Sequence, residues 1–340
     1  MVFDKASLQD VARVAGVSTA TVSRALSKPE VVSEITRKAV IDAVRATGYS
    51  VNHAARNLRR RRTDCIVALI PNLANPFFAQ ILFGISSVLA PAGYNLLISD
   101  TQGSPDSERL MMSYLDRGRA DGLILLDGLI PTDHLDDAVR SRPLPPAVLA
   151  CEWIDGSPLP QVRVDNLTGA KLAVEHLIGL GHRRIGHVGG PSGNVLSIVR
   201  EAGHRAAMTS AGLPFDEAWL LPGDFSLASG AAAAGRWLGM DRPPTAVFCA
   251  SDTMAAGFVA ALHRAGRDVP ADCSVVGFDD IEVAAHTVPA LTTIRQPRTE
   301  IGQVAARTLL AVIAGDTPVS ACTLLSVELI VRDSTAAPRS

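Results

Sequence analysis

Residues 65–101 read CIVALIPNLANPFFAQILFGISSVLAPAGYNLLISDT. An apolar run leads into a Pro/Asn turn, a stretch with helical spacing follows, and Gly93 precedes a second apolar run. A short apolar run closed by turn residues fits a strand buried on both faces, and a crossover helix between two such runs fits parallel pairing. The alternation continues through GLILLDG (122–128), AVLACEW (147–153), VRVDN (162–166), RIGHVGG (184–190), AVFCASD (246–252), SVVGFDD (274–280) and LTTIRQP (291–297), with helical stretches such as LTGAKLAVEHLIGLG (167–181) between most of them. These strands suffice for two parallel sheets, so an α/β core with two lobes is expected. Ligands of such folds sit beyond the carboxyl ends of the strands. Here those ends carry Asn72 to Phe78, Asp100, Asp165, Gly189 to Asn194, Asp252 and Asp279, which facing lobes would gather round one cleft.

Upstream of the core the pattern changes. Ser7-Leu8-Gln9-Asp10 has the layout of a capping box, with Asp10 in place of the usual Glu or Gln. Leu8, Val11, Ala12 and Ala15 then repeat at helical spacing until Gly16. Ser18 can cap a second helix with Val22 and Leu26 inward. Ser33 can cap a third, with Val40, Ala43 and Val44 inward and Gly48 as its stop. Three short helices with a Gly turn make a helix-turn-helix unit. On its second helix Thr19, Ala20, Ser23 and Arg24 share the outer face, where small polar side chains let the helix approach base edges and an arginine can bond guanine bidentately. An isolated Thr/Ser-rich helix reads more readily as solvated surface. Residues 1–62, however, carry twelve Lys/Arg against five Asp/Glu, a charge of +7 in a chain whose total is −2. With the capped first helix and the Gly turn, that charge favours a major-groove face. In YSVNHAARNLRRRRT (49–63), Asn52 can cap a short helix through Ala54, Ala55 and Leu58 ahead of a run of arginines. Alone this is a basic linker; beside a helix-turn-helix it reads as a segment that folds on DNA, with Leu58 wedged into the minor groove.

The chain's 340 residues, 47% of them hydrophobic, allow two or three folded units. No run approaches eighteen apolar residues and the first ten lack the features of an export signal, so a cytoplasmic protein without a membrane partner is expected. The five dispersed cysteines read as buried apolar residues. GGPSGN (189–194) fits neither nucleotide fingerprint and reads as a turn lining the cleft. His182 and His187 flank a strand instead of sharing a helix face, which disfavours a metal site. Asp279 and Asp280, adjacent on a strand, point to opposite faces and so do not form a catalytic pair. No nucleophile, base or metal set converges; the sequence predicts no enzyme and no cofactor.

LQDVARVAGVSTATVSRAL, TGYSVNHAARNLRR, NPFFAQILFGI, VDNLTGAKLAVEHLIGLGHRRIGHVGG, PPTAVFCASDTMAAG, VVGFDDI and LTTIRQPRTEIG together resemble the lactose/galactose repressor family of bacterial transcription regulators over nearly the whole chain. Within the family the sequence is similar to the cytidine-responsive branch. The resemblance implies a type I periplasmic-binding-protein-like core behind the DNA-binding head. The implied domains are 1–51, a hinge helix or linker at 52–63, and a core at 64–340. In the core, lobe 1 would span about 65–162 and 294–324, and lobe 2 about 163–293 and 325–340.

It further implies a homodimer on a pseudo-palindromic double-stranded DNA operator, controlled by a small-molecule effector, a nucleoside or a sugar. Carried onto this chain, Thr19, Ala20 and Arg24 are base readers. Ser18, Thr21, Ser23 and Ser27 contact phosphate or lie near bases, and Asn52, Ala55 and Leu58 belong to the minor-groove hinge. For the effector, Phe77 and Phe78 stack, Phe225 forms a wall and Asp279 takes hydroxyls, with Asp165 and Asp252 as further candidates. Sugar-responsive relatives place an arginine where this chain has Ile198, the purine-responsive pattern's Arg and Thr are replaced by Asn194 and Leu196, and these three positions complete the effector candidates. Arg200 is present, but a helical turn could point it away. On that reading a hexose loses its anchor and a nucleoside fits better. Effector binding would change the spacing of the hinge segments and so depopulate the DNA-competent form, induction being the favoured sign.

Overall fold

The computed structural model describes residues 6–49, 62–102, 114, 119–128, 146–316 and 320–339. The chain forms two compact units, one ending at Arg62 and one starting at Thr63.

The first unit contains helices α1 (Leu8–Ala15), α2 (Thr19–Ser27) and α3 (Glu34–Thr47). Asp10 completes the capping box despite its short side chain, since it accepts the Ser7 amide while Ser7 Oγ accepts the Asp10 amide. Gly16 and Gly48 adopt left-handed φ values of 66° and 64°, conformations that an L side chain resists. Val11, Val22, Ala25, Val40 and Ala43 form the centre of the small core, and Leu26 and Val44, expected inward, are partly buried and pack against it. Fully burying a valine contributes roughly 1.5–3 kcal/mol, so a core of this size makes the unit dependent on its caps.

The second unit holds two six-stranded sheets. The first has the strand order β11-β5-β4-β3-β1-β2, from β1 (Cys65–Ile70), β2 (Asn95–Asp100), β3 (Gly122–Leu125), β4 (Ala147–Ala150), β5 (Gln161–Val164) and β11 (Cys322–Leu325). The second has the order β12-β10-β9-β8-β6-β7, from β6 (Ile185–Val188), β7 (Leu220–Leu221), β8 (Ala246–Cys249), β9 (Ser274–Asp279), β10 (Thr292–Arg295) and β12 (Glu328–Ile330). All pairs are parallel except β10 with β12. Every expected run forms a strand; β7, β11 and β12 are additional and lie at sheet edges, where partial exposure removes the continuous apolar signal.

Helices α4 (Phe77–Leu89) and α9 (Arg298–Ala314) cover the first sheet, and α5 (Asn166–Gly179), α6 (Val195–Ser210), α7 (Leu227–Leu238) and α8 (Asp252–Arg264) belong to the second. Helices α4 and α9 meet backbone to backbone: a Cβ on Gly84 would lie 2.1 Å from Thr299 O, and one on Gly302 2.1 Å from Ile81 O. The lobe boundaries expected at 162/163, 293/294 and 324/325 need correction, because each would cut a strand, β5, β10 or β11. The chain instead crosses between β5 and α5, between β10 and α9, and between β11 and β12, since a strand cannot leave its sheet without giving up its ladder hydrogen bonds.

Candidate functional site

Two surfaces carry the candidate chemistry. In the first unit, Ser18, Thr19, Ala20, Arg24 and Ser27 are exposed, and Thr21 and Ser23 half-buried. Val22 and Ala25 anchor the opposite side of α2, which leaves a face of small side chains flanked by one guanidinium. Ser18 Oγ accepts the Thr21 amide at 3.1 Å and pairs with Thr21 Oγ1 at 2.9 Å, while Ser27 Oγ donates to Ser23 O at 2.7 Å. The hinge candidates Asn52, Ala55 and Leu58 lie outside the described residues.

In the second unit a cavity of about 320 Å³ opens between the carboxyl ends of the two sheets. The first lobe supplies Phe77 and Phe78 at the start of α4, their rings edge to face with centroids 5.1 Å apart. It also supplies Gln102, Asp127, Cys151 and Glu152, from the ends of β2, β3 and β4. The second lobe contributes Pro191, Ser192 and Asn194 from the GGPSGN turn, Leu196 and Arg200 from α6, Phe225 after β7, and Asp279 at the end of β9. Gln102, Cys151, Phe225 and Asp279 all have positive φ, from 53° to 118°. Non-glycine residues in that region cost about 1–3 kcal/mol each and concentrate where the surrounding structure needs a particular side-chain direction.

Arg200 organises the polar floor. It is 2% exposed; its Nε donates to Asn166 Oδ1 at 2.9 Å and its Nη1 to Ala250 O at 2.6 Å. Nη1 also lies 3.7 Å from Asp279 Oδ1, and the guanidinium stacks 3.8 Å over the Phe278 ring. Burial pushes Asp279 up to about 6, opposed by the guanidinium groups of Arg200 and Arg298 and by the Gln296 amide. Across the cavity, Asn194 Nδ2 donates to Glu152 Oε1 at 2.9 Å, and Glu152 Oε2 accepts the Gly128 amide. Burial raises the Glu152 carboxyl above its ordinary range. The Asn194–Glu152 bond joins the two lobes at the cavity wall.

Of the nine effector candidates, the cavity therefore collects Phe77, Phe78, Asn194, Leu196, Phe225 and Asp279. Three are corrected. Asp165 is the N-cap of α5, accepting the Thr168 amide and hydroxyl at 2.9 and 2.7 Å. Asp252 is wholly buried behind the site, where Oδ2 accepts the Ile281 amide and Oδ1 the Thr293 hydroxyl; it braces the segment that follows Asp279. Ile198 is 58% exposed and lies outside the cavity.

The helical period explains the last case. Leu196 and Arg200, four apart, share the face of α6 that meets the cavity, and Ile198 points elsewhere. Arg200, which a helical turn was expected to be able to point away, lines the cavity, so the argument that a hexose loses its anchor does not hold. Sequence reasoning also passed over Glu152, whose signal was its place directly after an apolar run in AVLACEW.

A family model described as bacterial regulatory proteins, lacI family, matches residues 7–52, and one described as a periplasmic binding protein-like domain matches residues 174–335. The HTH-type transcriptional repressor CytR of Escherichia coli (strain K12) is 40% identical over 332 residues, covering 98% of this chain and 97% of CytR. The HTH-type transcriptional repressor PurR of Photobacterium profundum is 35% identical over 330 residues, 97% of this chain and 98% of PurR. The crystal structure of the lac repressor dimer bound to operator and the anti-inducer ONPF superposes with a TM-score of 0.87 at 31% identity, covering 98% of this chain and all of that one. With an exposed helix face of small side chains in one unit and an interlobe cavity in the other, the chain belongs to the lacI family of bacterial regulatory proteins.

Proposed function

We propose that this protein is a cytoplasmic transcriptional repressor without enzymatic activity, which holds a pseudo-palindromic operator as a homodimer and loses that grip when a nucleoside fills the interlobe cavity. The observation that carries the effector class is the pairing of opposite chemistries in one cavity. Phe77, Phe78 and Phe225 offer apolar ring faces, while Asp279, Arg200 and Asn194 offer hydrogen-bonding groups from the second lobe. A flat base bound to a hydroxylated ribose uses both: the base on the aromatic faces, the hydroxyls on the carboxylate and guanidinium. Among the described residues no helix is long and apolar enough to cross a membrane.

A sugar-responsive repressor is the second reading. The buried Arg200–Asp279 pair favours it, because that pair serves hexose hydroxyls equally well.

Calorimetric titration of the full chain with cytidine, uridine, adenosine, glucose and galactose separates the two. A nucleoside is expected to bind, and Phe77→Ala to abolish the effector response while operator affinity stays unchanged. Binding of sugars alone, insensitive to Phe77→Ala, would replace the nucleoside with a hexose.

A further inference from the structure

The core begins at Thr63, directly after the last residue of the first unit, Arg62, and its first residues are gripped by one carboxylate. Asp121 Oδ1 accepts the Thr63 amide at 2.7 Å and the Thr63 hydroxyl at 2.9 Å, and Oδ2 accepts the Asp64 amide at 2.9 Å. Thr63 Oγ1 in turn accepts the Cys65 amide at 3.2 Å, and the Asp121 amide donates back to Cys65 O at 2.8 Å. On the other side, Asp64 O accepts the Asn95 amide at 2.8 Å. Asp64 sits at a φ of 53°, a conformation that an L side chain resists and that surrounding contacts must hold.

Strand β1 does not need this clamp to stay in its sheet. It is paired along its length with β2 on one side and β3 on the other. What the clamp adds is a fixed course for the two residues ahead of the strand, where the chain arriving from the DNA-binding unit enters the core. The clamp and the effector cavity also share strands. Asp121 and Cys65 stand at the amino ends of β3 and β1, and Asp127 and Pro71, beyond the carboxyl ends of the same strands, line the cavity. At roughly 3.3 Å per residue the six-residue steps from Asp121 to Asp127 and from Cys65 to Pro71 span about 20 Å.

We propose that Asp121 is a positioning residue for operator binding, which fixes the heading at which the chain leaves the core. Once one half of a dimer is on its half-site, the other binds at an effective concentration set by its tether. A tether with a fixed root raises that concentration at one half-site spacing and lowers it at others. A loose root lets each half grip DNA singly and loses the preference for one spacing. The proposal rests on the operator-bound dimer of the preceding reading, and not on which effector fills the cavity.

The probe is a duplex selected from a random library by the wild-type full chain, with versions in which one or two base pairs are added or removed between the half-sites. Asp121→Asn keeps the side chain's shape but sets an amide donor against the donors of Thr63 or Asp64. Affinity for the selected duplex is expected to fall about tenfold, affinity for random duplex to stay, and the wild-type penalty for altered spacing to flatten. The core transition should drop by only about 2–4 °C. Thr63→Val, which removes the hydroxyl, should act in the same direction, and Thr63→Ser should restore wild-type binding. A lower unfolding temperature with the spacing penalty intact would make Asp121 a strand cap alone and overturn the proposal, as would wild-type affinity for the selected duplex in Asp121→Asn. A wild-type chain that selects no two-half-site duplex would overturn the operator reading, and this proposal with it.

Discussion

The helix-turn-helix face and the interlobe cavity solve opposite problems. On α2, Ser18, Thr19, Ala20 and Arg24 stand exposed, and the fold rests on Val22 and Ala25 on the other side. In the cavity, Arg200, Asn194 and Asp279 are 2–7% exposed and tied into hydrogen bonds. Chemistry offered to a large external polyanion can be mounted on a finished fold. Chemistry offered to a small enclosed ligand must be buried, and buried polar groups need partners whether or not a ligand is present. Function is thus separable from stability in the first unit and entangled with it in the second.

Arg200→Ala tests that entanglement most severely. It removes the partner of Asn166 Oδ1 and Ala250 O and leaves Asp279 beside an empty space. Breaking such a buried charged pair by truncating one member costs about 3–5 kcal/mol. Thermal unfolding of the full chain should show the core transition falling sharply, and effector titration should show no response. A variant that kept the wild-type core transition would place the cavity in the same class as the exposed face of α2.

Arg24→Ala is the converse test. Its guanidinium is exposed and takes no part in the core, so the unfolding transition should not move. Operator binding measured against random DNA should lose about 1–3 kcal/mol of discrimination. Equal weakening on both DNAs, with a shallower salt dependence, would assign Arg24 to phosphate.

This contrast also governs what the sequence discloses. The head is legible because its signals are local: a cap, a Gly stop and a helical stripe each sit within a few residues. The strands are legible where both faces are buried, as in CIVALI or SVVGF, and illegible in β7, which is two residues long. The cavity is half legible. Every polar residue after a strand is a candidate, yet Asp165 serves its own helix as a cap and Asp252 serves Thr293 and the Ile281 amide, 41 and 29 residues away. No local rule distinguishes Asp252 from Asp279. Arg200 was legible from periodicity: once Asn194 is recognised as the cap of α6, Leu196 and Arg200 fall on one face and Ile198 on another.

A third test takes the entanglement away from the site. His204 is fully buried, its Nε2 donating to Ile185 O at 3.0 Å, and burial pushes its pKa down to about 4 from an ordinary 6.5. The unfolded chain therefore takes up this proton at a higher pH than the folded core. The stability held above pH 6.5 drains away as pH falls toward about 4. Replacing the ring by a group that does not titrate, His204→Gln, should flatten the pH dependence of the unfolding free energy in that window by roughly 1.4 kcal/mol per pH unit. Denaturant titrations at pH 7, 6 and 5 measure it. An unaltered slope would mean that His204 is already charged, or already solvated, in the folded core.

The smallest effect falls where the comparison is least clean, at Ser18. Its side chain is exposed, as a DNA contact requires, but it also caps α2 through the Thr21 amide, so fold and function meet at one oxygen. Two substitutions pull them apart. Ser18→Ala removes the cap and should cost the head about 1 kcal/mol, with operator affinity falling to a similar degree because fewer molecules hold the helix. Ser18→Asp restores a capping oxygen and adds a favourable charge at a helix N-terminus, so the head should melt at or above the wild-type temperature. A carboxylate facing phosphate is repelled, and operator binding should fall further than in Ser18→Ala despite the regained stability. If Ser18→Asp is both stable and a normal binder, Ser18 is a cap alone, and the separation of chemistry from fold drawn for the rest of α2 begins at Thr19.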